Sequence, residues 1–134
     1  MQRKLSNFVK IKYAPSREKA ELIAKKYVKS IEKKIGLKLA VIFGSYAKNT
    51  YSYGSDIDML LVAEKLPEKP KDRPRILLDP NLEIYVEPFA YSEEEFDKMI
   101  REKHPIAREA LKNGKIIYMS PDYKKILTQL KQAT

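Results

Sequence analysis

The sequence predicts an α/β (α+β) fold in which a small mixed β-sheet is flanked by helices. Three observations indicate it: apolar residues at helical spacing near the N-terminus, two short apolar runs at residues 37–43 and 56–63, and further strand and helix patterns interspersed along the rest of the chain. A length of 134 residues fits one domain. We therefore expect a single domain over residues 1–134, with its core at about 16–120 and a C-terminal helix at about 121–131.

The composition is that of a folded protein with a basic surface. Hydrophobic residues make up 43% and charged residues 34%, and no apolar run approaches the ~20 residues of a membrane span. We expect no secretion signal, and the absence of cysteine excludes disulfides and suits the reducing cytoplasm that we predict as the location. The net charge of +9 favours nucleotides, RNA or an acidic protein as partners, or equally a solvated Lys/Glu surface of the thermophile kind.

The first half of the chain reads as a helix, a strand, a short helix and a second strand. Ser16 is a typical helix N-cap, apolar residues then recur every three or four positions, and Gly36 is typical of a helix end. The run LKLAVIF at 37–43 predicts a buried strand. Polar and aromatic residues at 46–55 predict a short helix followed by a loop, and 56–63 predict the next strand.

The middle of the chain is punctuated by prolines and charges. Residues 64–75 contain three prolines and many charges, which predicts an exposed and mobile loop rather than a surface for RNA or a protein. Short strands are predicted at 76–78 and 82–89. Ser92 and Glu95 have the spacing of a capping box, so a helix is expected to begin there.

The remaining elements are two helices and a strand. Pro105 suits the first turn of a helix, which Asn113 and Gly114 would close, and 115–119 predict a last strand before the terminal helix. The single histidine, His104, precedes Pro105, and an ordinary capping or surface role is a better interpretation than catalysis.

Chemistry is indicated by two aspartates at the start of the second strand. Asp56 and Asp58 are separated by one residue, so in a strand both point to the same face, roughly 6.5–7 Å apart, while Ile57 points into the core. Two carboxylates so placed repel each other and predict a cation, either one divalent ion or two ions ~3.5–4 Å apart. Oxygen ligands favour Mg²⁺, which also takes ligands from substrate phosphates.

A glycine and a serine follow the first strand directly, ten residues before Asp56. Gly44 permits a sharp turn and a close approach of phosphate to the backbone, and the Ser45 hydroxyl would bind that phosphate together with free N–H groups. Gly-Ser and Asp-x-Asp are each common in turns and strand edges. In combination, each beside an apolar strand, they predict a site for a Mg-nucleotide.

The stretch GSYAKNTYSYGSDIDMLLV resembles the GS-x10-DxD signature of the nucleotidyltransferase superfamily, especially its minimal, antitoxin-type members, which are similar in fold to DNA polymerase β. The resemblance extends over about residues 20–120. It implies that Gly44 and Ser45 bind nucleotide phosphates, and that Asp56 and Asp58 bind Mg²⁺, as two ions, and act in catalysis.

The family also has a third carboxylate on a later strand, which implies Glu87 here as a catalytic and metal-binding residue, with Glu83 in reserve on the same strand face. A glutamate at this position departs from the commoner aspartate. A second departure is Lys48-Asn49, where relatives often have Arg-Gly, because lysine lacks the bidentate geometry of arginine toward phosphate.

The resemblance implies transfer of AMP from ATP to a hydroxyl, with a HEPN-type toxin as the expected acceptor protein. An antitoxin-like module that acts by contact alone is the alternative, and an antibiotic-modifying enzyme is disfavoured because the usual additional helical domain is not seen. Self-association and nucleic-acid binding remain open as further partner hypotheses. Three tyrosines near the motif are interpreted either as base-stacking groups or as packing: Tyr46, Tyr51 and Tyr53.

Overall fold

A computed structural model describes residues 15–132, and residues 1–14 and 133–134 of the expected single domain lie outside it. Its sheet has four strands in the order β3-β2-β1-β4. The strand β1 is antiparallel to β2 and β4, whereas β2 and β3 are parallel, so the predicted mixed sheet is confirmed. The strands are β1 Leu37–Phe43, β2 Ile57–Ala63, β3 Val86–Tyr91 and β4 Lys115–Met119.

Six α-helices of the described chain surround this sheet, and a 3₁₀ turn at Pro70–Asp72 precedes the third of them. None of these helices is both long and apolar enough to cross a membrane. The helices are α1 Arg17–Ile35, α2 Ser45–Lys48, α3 Arg73–Leu77, α4 Glu93–Arg101, α5 Pro105–Asn113 and α6 Pro121–Gln132.

Local signals set the ends of the long helices. The Ser16 hydroxyl accepts a hydrogen bond from the N–H of Lys19 at 3.1 Å, and Gly36 ends α1 in the left-handed conformation with φ 62°. Ser92 and Glu95 form the predicted capping box at the start of α4. His104 caps α5, since its Nδ1 accepts from the N–H of Ile106, which confirms a structural role for this residue.

The two faces of the sheet are covered by different helices. On one face, Ile57, Met59 and Leu61 of β2 pack in a core with the apolar side of α1. On the other face, Leu60 and Val62 pack in a second core with α4, α5 and α6. The alternation follows from the two-residue period of a strand, and it decides which face each polar residue of β2 occupies.

Two expected strands differ from those observed. Residues 76–78 end the helix α3 instead of forming a strand, because Leu77 is buried and its carbonyl accepts a 2.6 Å hydrogen bond from the Tyr27 hydroxyl. The strand predicted at 82–89 begins later, as β3 at Val86, since pairing with β2 starts at that residue.

The charged segment 64–75 is not a mobile loop, which is a second correction. Arg73 is 5% exposed, and its guanidinium donates to the carbonyls of Pro67 at 2.9 Å and Ala90 at 3.0 Å and to the carboxylate of Glu95 at 2.7 Å. Because one side chain satisfies groups of the segment, of β3 and of α4, it fixes this connection on the edge of the sheet.

We predict that Arg73→Met lowers the free energy of unfolding by about 2–3 kcal/mol, because buried carbonyls lose their donor. The comparison is Glu95→Gln, which keeps an acceptor and should cost less. Urea denaturation of both variants and the wild type measures the difference. If Arg73→Met lowered the free energy of unfolding no more than substitution of an exposed lysine does, this role of Arg73 would be contradicted.

The same pair should also make stability depend on acid. The hydrogen bond from Arg73 holds the pKa of Glu95 below its ordinary value of 4.5. The ionised form is therefore favoured in the folded state, and its contribution is present above pH 4.5 and is lost as the pH falls through the lowered pKa. Glu95→Gln should flatten this part of the stability profile; an unchanged acid profile in the variant would argue against it.

Candidate nucleotide and metal site

Three predicted carboxylates lie near one end of the parallel pair β2–β3. Asp58 is directly opposite Glu87 of β3 on one side and opposite Phe43 of β1 on the other. Asp56 precedes it by two residues and is exposed, while Ile57 between them is fully buried in the core. The strand alternation expected from the sequence is therefore observed, and the parallel register brings Glu87 beside Asp58.

The register also distinguishes the two candidates for the third carboxylate. Glu83 lies before β3 begins, its side chain is 69% exposed, and it forms an ion pair with Lys19 of α1 at 2.7 Å. The hydrogen bond from Lys19 is the main cause that lowers the pKa of Glu83, and the positive charge of Lys19 is the next. Glu87 therefore lies beside Asp58, whereas the carboxylate of Glu83 forms its ion pair with Lys19.

The electrostatics of Asp58 are unfavourable for an ionised side chain. Its pKa is raised from 3.8 to about 6, first by burial and then by the negative charges of Glu87 and Asp56. Within residues 15–132, none of these three carboxylates forms an ion pair with a lysine or arginine. The protein thus holds negative charge together without supplying a counter-charge, which is the condition that a bound cation relieves.

Gly44 has two reasons to be a glycine. Its φ of 75° lies in the region that side chains disfavour. In addition, a β-carbon at this position would overlap Oδ2 of Asp58. The Asp58 carboxylate therefore occupies the space that a side chain at this position would fill. The end of β1 and the start of β2 are thus packed more closely than the sequence alone indicated.

Ser45 begins the short helix α2, and the chain turns back just after it. The carbonyl of Ser45 accepts the N–H of Thr50 at 2.9 Å, and Asn49 adopts a left-handed conformation with φ 63°. Asparagine tolerates that conformation better than most residues, so it is a suitable replacement for glycine at this position. Lys48 forms an ion pair with Glu109 of α5, with 3.2 Å between Nζ and Oε2.

The tyrosines near the motif separate into packing residues and an exposed one. Tyr46 is 1% exposed and stacks on Tyr51 with 4.4 Å between ring centroids, so both serve the core rather than a base. Tyr53 is 57% exposed and lines a cavity of about 280 Å³ together with Asp56 and Tyr85. Sequence reasoning missed Tyr85, since it falls inside a segment that was expected to be regular strand.

The donor set suits Mg²⁺ in kind. Carboxylate oxygens are the ligands this ion prefers, and burial beside two negative charges makes the ionised form of Asp58 costly, a cost that a bound cation would relieve. In the side-chain positions of the structure, no three acidic or histidine groups of residues 15–132 converge as a complete coordination shell. The fit is therefore one of chemistry and neighbourhood, and ligands from a nucleotide are the usual complement at such a site.

These features define the class of protein, and comparison with known families agrees. The family described as "Polymerase beta, Nucleotidyltransferase" matches residues 25–123. The chain belongs to this nucleotidyltransferase family, which confirms the family predicted from the GS-x10-DxD motif.

Two relatives bear on the comparison. A protein of Methanocaldococcus jannaschii, provisionally named as a protein adenylyltransferase, is 34% identical over 84 residues; these cover 58% of this chain but only 56% of the relative. The crystal structure of a provisionally named nucleotidyltransferase from Sulfolobus solfataricus has a TM-score of 0.55 at 23% identity, covering 77% of this chain and 83% of that one, and shares the fold. A toxin–antitoxin structure with AMP-PNP has a TM-score of 0.49 at 14% identity, which is too low to support an inference.

We predict that Gly44 and Asp58 are energetically coupled. Gly44→Ala in the wild type must both strain the backbone and displace the carboxylate, whereas in an Asp58→Ala background it only strains the backbone. The cost of Gly44→Ala should therefore be smaller in that background by at least about 1 kcal/mol. Urea denaturation of the four proteins of this cycle measures the coupling, and additive costs would show that the carboxylate does not need the space.

We predict that Asp58→Asn stabilises the metal-free protein by on the order of 1 kcal/mol, a value discounted for the partial exposure of the site. Asparagine has nearly the same shape and removes the charge that Glu87 and Asp56 repel. Thermal unfolding in EDTA should show a rise of a few degrees. Glu83→Gln is the matched control, since it also removes a carboxylate but loses the Lys19 pair. If Asp58→Asn were less stable than the wild type, the repulsion of Asp58 by Glu87 and Asp56 would be refuted.

Proposed function

We propose that this chain transfers AMP from Mg-ATP to a hydroxyl group of a partner protein. The observation that carries the proposal is the position of Asp58, which fits against Gly44, lies opposite Glu87 and has a pKa raised first by burial and then by the negative charges of Glu87 and Asp56. An arrangement that stores repulsion is costly to stability, and such costs are typical of functional sites.

In this proposal, Asp56, Asp58 and Glu87 hold Mg²⁺, as two ions, which would neutralise the charge that develops on the transferred and leaving phosphates. Gly44 gives the Asp58 carboxylate room at the end of β1 and contributes its backbone to the phosphate site, and Ser45 orients the β- and γ-phosphates through its hydroxyl. The first N–H groups of α2 have no acceptor within the helix and are available to the same oxygens.

The proposed reaction replaces a phosphoanhydride bond of ATP by a phosphodiester bond to the acceptor. The acceptor oxygen forms a bond to the α-phosphorus, the bond between the α-phosphorus and the bridging oxygen breaks, and pyrophosphate leaves. Glu87 is the best-placed group to take the hydroxyl proton, because it is exposed at the end of the site where an acceptor can approach.

The choice of AMP and of a protein acceptor rests on less direct support. The Methanocaldococcus jannaschii relative is named as a protein adenylyltransferase, and the family resemblance of the motif suggests a HEPN-type toxin as the acceptor. This chain spans 56% of that relative's length, so the acceptor is proposed and not carried over. The alternative is neutralisation of a partner by contact alone, for which the carboxylates would be dispensable.

We expect that Mg-ATP binds to the wild type in calorimetric titration and that Asp58→Asn weakens its affinity about tenfold or more, since one of the few metal ligands is lost. Glu87→Gln should behave similarly. Glu102→Gln, which removes an exposed carboxylate at the end of α4 that does not line the cavity beside Asp56, should bind like the wild type. Equal affinities for Asp58→Asn and the wild type would remove the nucleotide site from consideration.

A transfer assay then separates the two modes of action. ATP labelled at the α-phosphate is incubated with the chain and a HEPN-type toxin as the candidate acceptor, and label on the toxin is followed with time. The proposed enzyme loses labelling in Asp58→Asn. Neutralisation of the partner that survives this substitution, without any labelling by the wild type, would favour the contact alternative.

A further inference from the structure

A basic groove lies on the sheet face that α4, α5 and α6 cover. None of the site carboxylates Asp56, Asp58 and Glu87 lines it. It is a cavity of about 370 Å³ between α4, α5 and α6. Its floor is apolar, and four cationic side chains border it, without any acidic residue among those that line it. The lining residues are Ile100, Ala107 and Leu111 on the floor and Lys103, Arg108, Lys112 and Lys131 at the border.

Lys103 occupies a position that is unfavourable for lysine. It has a φ of 58°, and it ends α4 in a Schellman motif, in which the N–H of Lys103 bonds the carbonyl of Ile100 and the N–H of His104 bonds that of Met99. Glycine is the usual residue there because it has no side chain to strain. The chain accepts this strain, and the side chain that results borders the groove, which suggests that the side chain is used.

A second depression adjoins the groove. Lys103, Arg108 and Lys112 border both cavities, and the second cavity also includes Glu109. Glu109 is the ion-pair partner of Lys48, which belongs to α2, the short helix that begins at Ser45. The lining of the second cavity is therefore in contact with the helix that carries Ser45.

The chemistry of the groove selects among occupants. Its charge requires an acidic ligand, and its apolar floor requires an apolar anchor, which together describe an acidic amphipathic peptide segment. Single-stranded RNA suits it less well, since no aromatic side chain lines the groove to stack on a base. The N-terminal residues 1–14 of this chain are equally unsuitable, because they contain four basic and no acidic side chains.

We propose that this groove docks an acidic segment with apolar anchors, belonging to the acceptor protein. The proposal rests on the proposed function for the identity of the partner, but the docking itself requires no catalysis. Binding at a distance from the reacting hydroxyl would raise the effective concentration of the acceptor at Glu87 and supply selectivity that a small hydroxyl cannot.

The test measures docking in the Asp58→Asn background, in which transfer is not expected. The probe is a fluorescein-labelled synthetic peptide with leucines at i and i+4 and glutamates at the flanking positions, and the same peptide with glutamines is its neutral counterpart. Fluorescence anisotropy gives the Kd for each. The groove variant is Arg108→Glu with Lys112→Glu. The matched control is Lys25→Glu with Lys29→Glu, an exposed pair at the same spacing on α1, across the sheet.

We expect the groove variant to weaken peptide binding at least about tenfold and the α1 variant to change it little, with the neutral peptide bound weakly throughout. Lys103→Gly should raise the Tm and yet weaken binding, a combination that damage to the fold does not produce. Equal losses for both charge-reversed pairs, tighter binding of an RNA oligonucleotide than of the peptide, or no binding of the acidic peptide would each overturn the groove as a peptide-docking site. Failure of AMP transfer with docking intact would count against the proposed reaction alone.

Discussion

Parallel pairing of β2 with β3 is the constraint on which the site depends, because it places Glu87 opposite Asp58. Parallel neighbours need a long crossover, and here residues 64–85 supply it without a long helix. Two contacts fix this connection to the body of the protein. Arg73 bonds the segment to β3 and α4, and the Tyr27 hydroxyl of α1 bonds the carbonyl of Leu77. By fixing this connection, the buried guanidinium of Arg73 helps to hold β2 and β3 in register. That register keeps Asp58 and Glu87 opposite each other although their carboxylates repel.

Where the chain departs from local stability, a ligand offers the compensation. Asp58 is half-buried beside two like charges, and Lys103 has a backbone conformation that favours glycine. Neither feature improves the folded state, and a sequence selected for stability alone would replace both. The caps at Ser16, Ser92 and His104 satisfy their backbone groups in the ordinary way. The contrast between these ordinary positions and the two costly ones supports the proposals that a ligand acts at each of them.

Sequence reasoning succeeded where the signal is local and failed where distant residues decide. Caps, the buried runs of β1 and β2 and the side-chain alternation at Asp58 follow from neighbours within a few positions. The helical ending at Leu77 depends on Tyr27, fifty positions earlier, and the order of segment 64–75 depends on partners of Arg73 in later elements. The family resemblance already favoured Glu87, with Glu83 in reserve, and the register of β3, which depends on a distant strand, adds support by placing Glu87 opposite Asp58.

The acidic site and the basic groove lie on the same face of the sheet. The acidic site would attract cations, and the basic groove would attract anions. Asp58 and Glu87 share that face with the core beneath α4, α5 and α6, whose outer surface carries Arg108 and Lys112. The ion pair of Lys48 with Glu109 lies at the second cavity and contributes no net charge there. Because the carboxylates repel an acidic segment, the proposed docking leaves Asp56, Asp58 and Glu87 accessible to a cation. Under these two proposals, one small domain would hold an acceptor segment and a metal–nucleotide at the same time, on surfaces of opposite charge.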